Sequence, residues 1–281
     1  MLFSVVIPTY NRKQFLKLAA DSVLNQNFED FELIIVDDGS DDGTKDLIQS
    51  YSDPRLSYLY QQQKGPAGAR NSGIKAARAD WICFLDSDDR FRREKLATTR
   101  EYIEKYPDYR IFHTEELWYR NAGYLDQKKE HKKPEGDVFE KALALCCLSP
   151  SAACVHKDVF AKAGLFDEDF PACEDYEFWL RVSIDFSVKL IPDYLTIKQG
   201  GHAGQQSDRP GLDRLRFLAI YKTIKNSRLS RPRLTQALAS LEEKAAIYIK
   251  GAEKRDKTAE AEEIENKLQE IKKDYGSKPL S

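Results

Sequence analysis

Four short apolar runs near the start of the chain constrain its fold more than any other feature. Residues 3–7, 33–36, 56–60 and 81–85 are almost continuously apolar and rich in β-branched or aromatic side chains. That is the composition of strands buried on both faces. Between them lie segments with helical spacing. One carries Phe15, Leu18, Ala19, Ser22 and Val23 behind the candidate cap Asn11, and another covers 67–77 behind Gly65-Pro66. The alternation predicts an α/β fold, a mostly parallel twisted sheet with helices on both faces.

Beyond residue 109 the pattern loosens. From 110 to 136 periodicity is weak, and the basic run Lys128-Lys129-Glu130-His131-Lys132-Lys133 before Pro134 reads as a solvated loop. Helical patterns resume at 138–145, 157–163 and 175–183. After Gly200-Gly201 and Arg209-Pro210-Gly211 the composition shifts to Lys, Glu, Ala and Leu, and 212–275 reads as amphipathic helices broken near 230–232. No internal repeat is present.

The 281 residues suffice for one large core, or one core with an appended lobe. Lysine plus arginine (44) nearly balance aspartate plus glutamate (46), and a net charge of -2 offers no global field for nucleic acid. Any anionic ligand must be held locally. No window approaches the roughly 18 consecutive apolar residues of a spanning helix. Strand-like sequence from Phe3 leaves no room for a secretory signal, so the expected compartment is the cytoplasm. Cys83, Cys146, Cys147, Cys154 and Cys173 are odd in number and lack paired Cys-x-x-Cys spacing. They read as small buried hydrophobes rather than disulfides or a zinc site.

In such a sheet, ligands sit beyond the carboxyl ends of the strands. The first run leads into Pro8-Thr9-Tyr10-Asn11, the second into Asp37-Asp38-Gly39-Ser40, and the fourth into Asp86-Ser87-Asp88-Asp89. Each has an ordinary reading beside a functional one. Pro8 discourages continuation of the strand, which leaves Thr9 and Tyr10 as a turn or as a hydroxyl and a ring for a base. Asp38 suits an acceptor for base or ribose, or a turn capping the helix near Thr44. Asp86 and Asp88 suit a cap, or a divalent cation shared with substrate phosphates. Convergence of three strand ends on one rim favours a ligand.

Three further features stand apart. Gly65-Pro66-Ala67-Gly68-Ala69-Arg70-Asn71 lacks the spacing of a dinucleotide fingerprint, but Arg70 lies in a helical pattern that either reaches the rim with Asp38 or faces solvent. Glu174 and Asp175 precede the apolar helical positions Phe178, Trp179 and Val182. A carboxylate there is favoured by the helix dipole and could also be a general base. His202, between glycines and a polar run, suits a metal ligand or a solvated loop.

Taken in order, these motifs resemble glycosyltransferase family 2, which has the GT-A fold. The matching stretches are VVIPTYNR at 5–12, IIVDDGSDDGT at 34–44, GPAGARNSGI at 65–74, FLDSDD at 84–89 and EDYEFWLR at 174–181. The likeness implies a GT-A domain at 1–211, with a nucleotide-binding half, 1–109, and an acceptor-side half, 110–211. The helical extension 212–281 lies outside it, open to acceptor docking, self-association or packing. Pro8, Thr9, Tyr10, Asp38 and Arg70 would hold the nucleoside, commonly uridine. Asp86 and Asp88 occupy the Asp-x-Asp motif, in which the last carboxylate ligates manganese or magnesium on the sugar diphosphate. Asp175 matches the base that deprotonates the acceptor hydroxyl, and His202 matches a histidine that in some members touches metal or diphosphate.

The implied reaction is a single inverting displacement from a UDP-sugar to a saccharide or lipid-linked acceptor. By analogy it belongs to cell-surface saccharide synthesis, with peripheral association at the inner face of the membrane. The Gln-x-x-Arg-Trp signature of processive synthases is absent, which implies single addition. Sugar choice would fall to mid-chain residues such as His113, Glu115 and Glu116. Haloacid-dehalogenase-like phosphatases also use Asp-x-Asp, but on their first strand and followed by Thr or Val where this chain has Arg90. A non-catalytic nucleotide-sugar binder is the stronger competitor, and retention of both the acidic pair and Asp175 weighs against it.

Overall fold

The computed structural model describes residues 1–121, 123–128, 131–202, 205 and 211–275. Strands β1 (Phe3–Thr9), β2 (Phe31–Asp37), β3 (Leu56–Tyr60) and β4 (Trp81–Phe84) pair in parallel in the order β3-β2-β1-β4, as the four apolar runs predict, although β3 is a partly exposed edge strand and not one buried on both faces. Helices α1 (Lys13–Leu24), α2 (Thr44–Gln49) and α3 (Gly65–Ala76) connect them. The sheet continues past β4 through β8 (Ala153–His156), β6 (Ile111–Arg120), β9 (Lys189–Gly200) and β5 (Arg90–Phe91). Strand β7 (Gly123–Tyr124) pairs with β6. The β4-β8, β8-β6 and β9-β5 pairs are antiparallel, and the long β6-β9 pair is parallel. Helices α4 (Lys95–Lys105), α5 (Phe139–Ala144), α6 (Lys157–Ala163) and α7 (Glu174–Val182) complete this part, and α8 (Leu212–Asn226), α9 (Arg231–Glu253) and α10 (Thr258–Tyr275) follow. The chain steps outward from β1 to β3 and then returns to β4 on the other side, so strand order reverses between β1 and β4. A crevice for ligand opens at such a reversal.

Side-chain alternation divides the core. Phe3, Val5, Ile7, Leu33, Ile35, Trp81 and Cys83 pack on one face with Leu16, Ala20 and Val23 of α1 and Leu96 of α4. Val6, Ile34, Val36, Ile82 and Phe84 pack on the other with Phe178 of α7, Phe217 and Ile220 of α8 and Leu241 of α9. Each such side chain fully removed from water stabilises by about 1.5–3 kcal/mol before entropy is charged. The C-terminal helices therefore bury their apolar faces in the same core as the sheet. Gly73 lets α3 seat on β1, since a Cβ there would lie 2.2 Å from Val6 Cγ1.

The structure departs from the sequence reading at several points. Strands β6 and β9 fall where periodicity is weak. Strand β6 carries His113, Thr114 and Glu116 into the interior, and Pro192 and Asp193 are skipped in the pairing of β9, between Thr114↔Ile191 and Glu115↔Tyr194. Neither strand shows a clean period of two. The basic run does not end in solvent: Lys133 is buried with its ammonium 2.9 Å from the Glu116 carboxylate, and the His131 ring lies 4.9 Å from that of Trp118. Lys129 and Glu130 lie outside the described residues, as do Ala203, Gly204 and 206–210, which include Arg209-Pro210. Asn11 is not the cap of α1. It takes a left-handed conformation at φ 50° and accepts from the Asp41 N–H, while Asp42 accepts from the Lys13 and Thr44 N–H groups and so serves both α1 and α2. Cys83, Cys147 and Cys154 are buried as expected, but Cys146 and Cys173 are only half-buried.

Candidate active site

The first two strand ends interlock. The Asp38 N–H donates to the Thr9 carbonyl and the Asn11 N–H to Ser40 Oγ, both at 2.9 Å, while Gly39 turns the chain at φ 92°. Pro8 is tolerated in β1 because pairing with β4 has already ended at Val6↔Phe84. The Asp38 carboxylate is buried and accepts from Gln61 Nε2 (2.6 Å) and from the N–H groups of Lys64 and Gly65 (2.8 Å each). It holds the loop that starts α3, whereas the helix near Thr44 is capped by Asp42. With three of about four lone-pair sites filled, little of its acceptor capacity remains for a base or ribose. Tyr10 presents a ring 43% exposed at the rim. Thr9 Oγ1 is buried with no hydrogen-bond partner among the described residues.

At the end of β4, Asp86, Asp88 and Asp89 bring ligand atoms within 4.8 Å of one another. Like charges so close need counter-charges, and each carboxylate has one. Arg70 Nη2 donates to Asp86 Oδ1 at 2.7 Å. The Arg12 guanidinium bonds Asp88 Oδ2, and His202 Nε2 lies 2.9 Å from the same oxygen. Lys198 Nζ lies 3.0 Å from Asp89 Oδ2 and 3.8 Å from Asp86 Oδ2. Ser151 braces the turn, its Oγ donating to Asp89 at 2.6 Å and accepting from the Asp86 N–H at 3.0 Å. Burial raises the Asp86 carboxyl, but Arg70 and Lys198 outweigh it and pull it to about 2. For Asp89 burial wins: despite Lys198, it and the neighbouring Asp86 and Asp88 push the carboxyl up to about 7.

Across from this cluster stands the first turn of α7. Arg70 Nη1 donates to Glu174 Oε1 at 2.6 Å, so one buried guanidinium bridges the end of β4 and the start of α7. Burial raises the Glu174 carboxyl although Arg70 opposes it. Both terminal nitrogens of Arg70 are thus committed to Glu174 and Asp86 rather than to Asp38. Asp175, the next residue, is half-buried. Its Oδ1 accepts from the Tyr176 N–H at 2.7 Å and its Oδ2 from Cys146 Sγ at 3.3 Å.

The residues at the β4 end fit a divalent cation. Asp86, Asp88 and Asp89 supply hard carboxylate oxygens within 4.8 Å of one another, and the His202 imidazole beside Asp88 adds a nitrogen donor. Asp89 has both oxygens engaged, by Ser151, Lys198 and the Gln199 N–H, and acts as a brace for the turn. A cavity of about 360 Å³ opens beside the cluster, with Asp88, His202, Phe15, Arg90 and Asn121 in its wall.

Of the residues singled out in the sequence, Arg70 bonds Asp86, His202 contacts Asp88 in the same acidic cluster, and Arg70 also bonds Glu174, the neighbour of Asp175. Arg12 and Asp89 have no role assigned from sequence, although both stand inside the quoted motifs, and Glu174 reads only together with Asp175 as a helix-start carboxylate or general base. Lys198 and Ser151 carry no local pattern that could have marked them. His113 and Glu116 are fully buried. The His113 Nε2 lies 2.7 Å from the Pro134 carbonyl, and burial pushes this imidazole down to about 3.

Residues 4–163 match the model of glycosyl transferase family 2; Asp175 and His202 lie beyond the matched stretch. An uncharacterized glycosyltransferase of Rickettsia bellii (strain RML369-C) is 33% identical over 181 residues, 64% of this chain and 26% of that protein. The chain therefore spans about a quarter of that relative. The UDP-Glc:alpha-D-GlcNAc-diphosphoundecaprenol beta-1,3-glucosyltransferase WfaP of Escherichia coli is 28% identical over 236 residues, 79% of this chain and 86% of WfaP. S. aureus TarS 1-349 in complex with UDP-GlcNAc has a similar structure, with a TM-score of 0.71 at 21% identity, covering 86% of this chain and 71% of that one. The mannosyltransferase PcManGT of Pyrobaculum calidifontis, in complex with GDP-Man and Mn2+, has a TM-score of 0.59 at 17% identity, covering 98% of this chain and 88% of that one. At these identities the structures attest a common GT-A fold. The family match takes in more than half of the chain and contains the rim formed by β1, β2 and β4: this protein belongs to glycosyl transferase family 2.

Proposed function

We propose that the chain moves a single sugar from a nucleoside diphosphate sugar, in the first place a UDP-sugar, to an acceptor hydroxyl with inversion at the anomeric carbon. The observation that carries this reading is the Arg70 fork, which ties the acidic end of β4 to the first turn of α7. On this reading a cation site and a candidate base border one substrate from the two sides of that fork. The donor bound to TarS and the name of WfaP support uridine, and the acceptor in the name of WfaP supports a lipid-linked saccharide acceptor. No helix among the described residues is long and apolar enough to cross a membrane.

Asp88 and His202 would hold Mn2+ or Mg2+, with Asp86 beside them on the donor. Such an ion, when bound, offsets charge developing on the departing diphosphate. Arg12 and Lys198 add fixed positive charge on the same side. The exposed Tyr10 ring offers a stacking face for the base, and the Thr9 hydroxyl, without a hydrogen-bond partner among the described residues, offers a hydrogen bond. Asp175 takes the proton of the acceptor hydroxyl while that oxygen bonds to the anomeric carbon and the bond to the diphosphate breaks. Arg70 acts as a strut between the two sides.

General-base catalysis contributes about 10² to 10⁴-fold, so Asp175→Asn should lose transfer by that order and keep its affinity for UDP with Mn2+, measured by calorimetry. Transfer at the parental rate would remove Asp175 as the base. Binding without turnover across a broad panel of donors and acceptors would make the protein a binder instead.

A further inference from the structure

Half-buried Cys146 lies in the segment that follows α5, with its sulfur 3.3 Å from Asp175 Oδ2 and also 3.3 Å from the Leu148 carbonyl. We propose that Cys146 is a positioning residue for the base, its single S–H, directed to Oδ2 rather than to the Leu148 carbonyl, fixing the rotamer of the Asp175 carboxylate. The inference rests on the assignment of Asp175 as base.

The geometry leaves few other groups to do this. The two hydrogen bonds to Asp175 divide its carboxylate: Oδ1 is tied to the Tyr176 N–H, part of its own helix start, and Oδ2 to the thiol alone among the described residues. A carboxylate held at one oxygen can still swing, whereas one held at both presents its remaining lone pairs in a set direction. A thiol donates only while protonated, and burial together with the adjacent Asp175 raises this thiol well above the ordinary cysteine value. Arg70 of α3 and Glu174 of α7 act on Asp175, Arg216 and Asp213 of α8 act on the adjacent Cys173 at the start of α7, Arg216 also acts on Tyr176, and Lys133 and Cys147 act on Cys146 itself. Removing the donor should therefore leave the base looser.

The test compares Cys146→Ala, Cys146→Ser and Cys147→Ala with the parent, measuring kcat and KM of UDP-sugar transfer together with UDP affinity. Cys146→Ala should lower kcat roughly five- to tenfold and leave the donor KM and UDP affinity unchanged. Cys146→Val, which keeps the volume without the donor, should do the same and replaces Cys146→Ala if that variant fails to fold. Cys146→Ser, which keeps a donor, should restore kcat. Cys147→Ala, which removes a neighbouring buried thiol without touching Asp175, should keep the parental kcat. If the donor-less variant keeps the parental kcat while Asp175→Asn has lost transfer, the role of Cys146 is refuted and the base assignment stands. A Cys146→Ser kcat as low as that of Cys146→Ala refutes the role equally, because the donor is then not what matters. If Asp175→Asn transfers at the parental rate, the base assignment itself has failed.

Discussion

Replacing Arg70 by methionine tests the strut directly. The guanidinium is 5% exposed and holds two carboxylates, Glu174 at 2.6 Å and Asp86 at 2.7 Å. Removing one partner of a buried ion pair costs about 3–5 kcal/mol, because the other charge is left uncompensated. Glu174 carries most of that cost, being buried with Arg70 as its partner. Asp86 is discounted, since its side chain is 27% exposed and Lys198 stays 3.8 Å away. A net loss of about 4 kcal/mol is expected. Unfolding entropy of about 2.1 cal/mol/K per residue over 281 residues gives about 0.6 kcal/mol/K, so Tm should fall by roughly 7 °C. Thermal unfolding followed by circular dichroism measures it.

Two controls sharpen the argument. Adding Glu174→Gln to Arg70→Met removes the orphaned charge and should recover about half of the loss or more. The pH dependence has a definite sign. Glu174 in the fold already sits above its ordinary value of 4.5 through burial, and without Arg70 it should sit higher still. The folded variant then binds more protons than its unfolded chain above pH 4.5, so its deficit relative to the parent should shrink as pH falls from 8 toward 5. A variant that melts within about 2 °C of the parent at pH 8, or a double variant no more stable than Arg70→Met, would refute the strut.

Other expectations follow from single contacts. Gly73→Ala would force a Cβ to 2.2 Å from Val6 Cγ1 and should cost about 1–3 kcal/mol by overpacking; a Tm at or above the parent contradicts the close seating of α3. Burial lowers the fully buried Lys95 ammonium to about 8 from 10.5, so the folded state binds fewer protons than the unfolded chain between those values. Parental stability relative to Lys95→Met should therefore rise with pH through that window, by up to about 3 kcal/mol, and urea unfolding at pH 7 and pH 10.5 would show an unchanged gap if the reasoning is wrong. Asp88→Asn should weaken Mn2+ binding in the presence of UDP by at least about tenfold, measured by electron paramagnetic resonance titration; unchanged affinity would move the cation elsewhere.

The parallel half of the sheet and its polar rim were legible because their signals are local. Strands β1, β2 and β4 are buried and appear as apolar runs, as does the partly exposed edge strand β3, and the polar residues of each rim turn follow within four positions, as Pro8 to Asn11 and Asp86 to Asp89 do. The second half was not legible for an equally physical reason. Strand β6 buries Thr114 and Glu116 against Lys95 and Lys133, and polar groups satisfied by distant partners leave no hydrophobic period to read.

What the amino-acid order determined by itself, then, is where strands end and which carboxylates stand there. Which charge answers which was decided only in three dimensions. Arg70 meets Glu174 across 104 positions, Lys198 reaches Asp89 from β9, and Ser151 reaches Asp89 across 62 positions. Nothing in a local pattern selects such partners, because the packing of separate elements brings them within hydrogen-bonding reach and the burial that results makes each pairing obligatory.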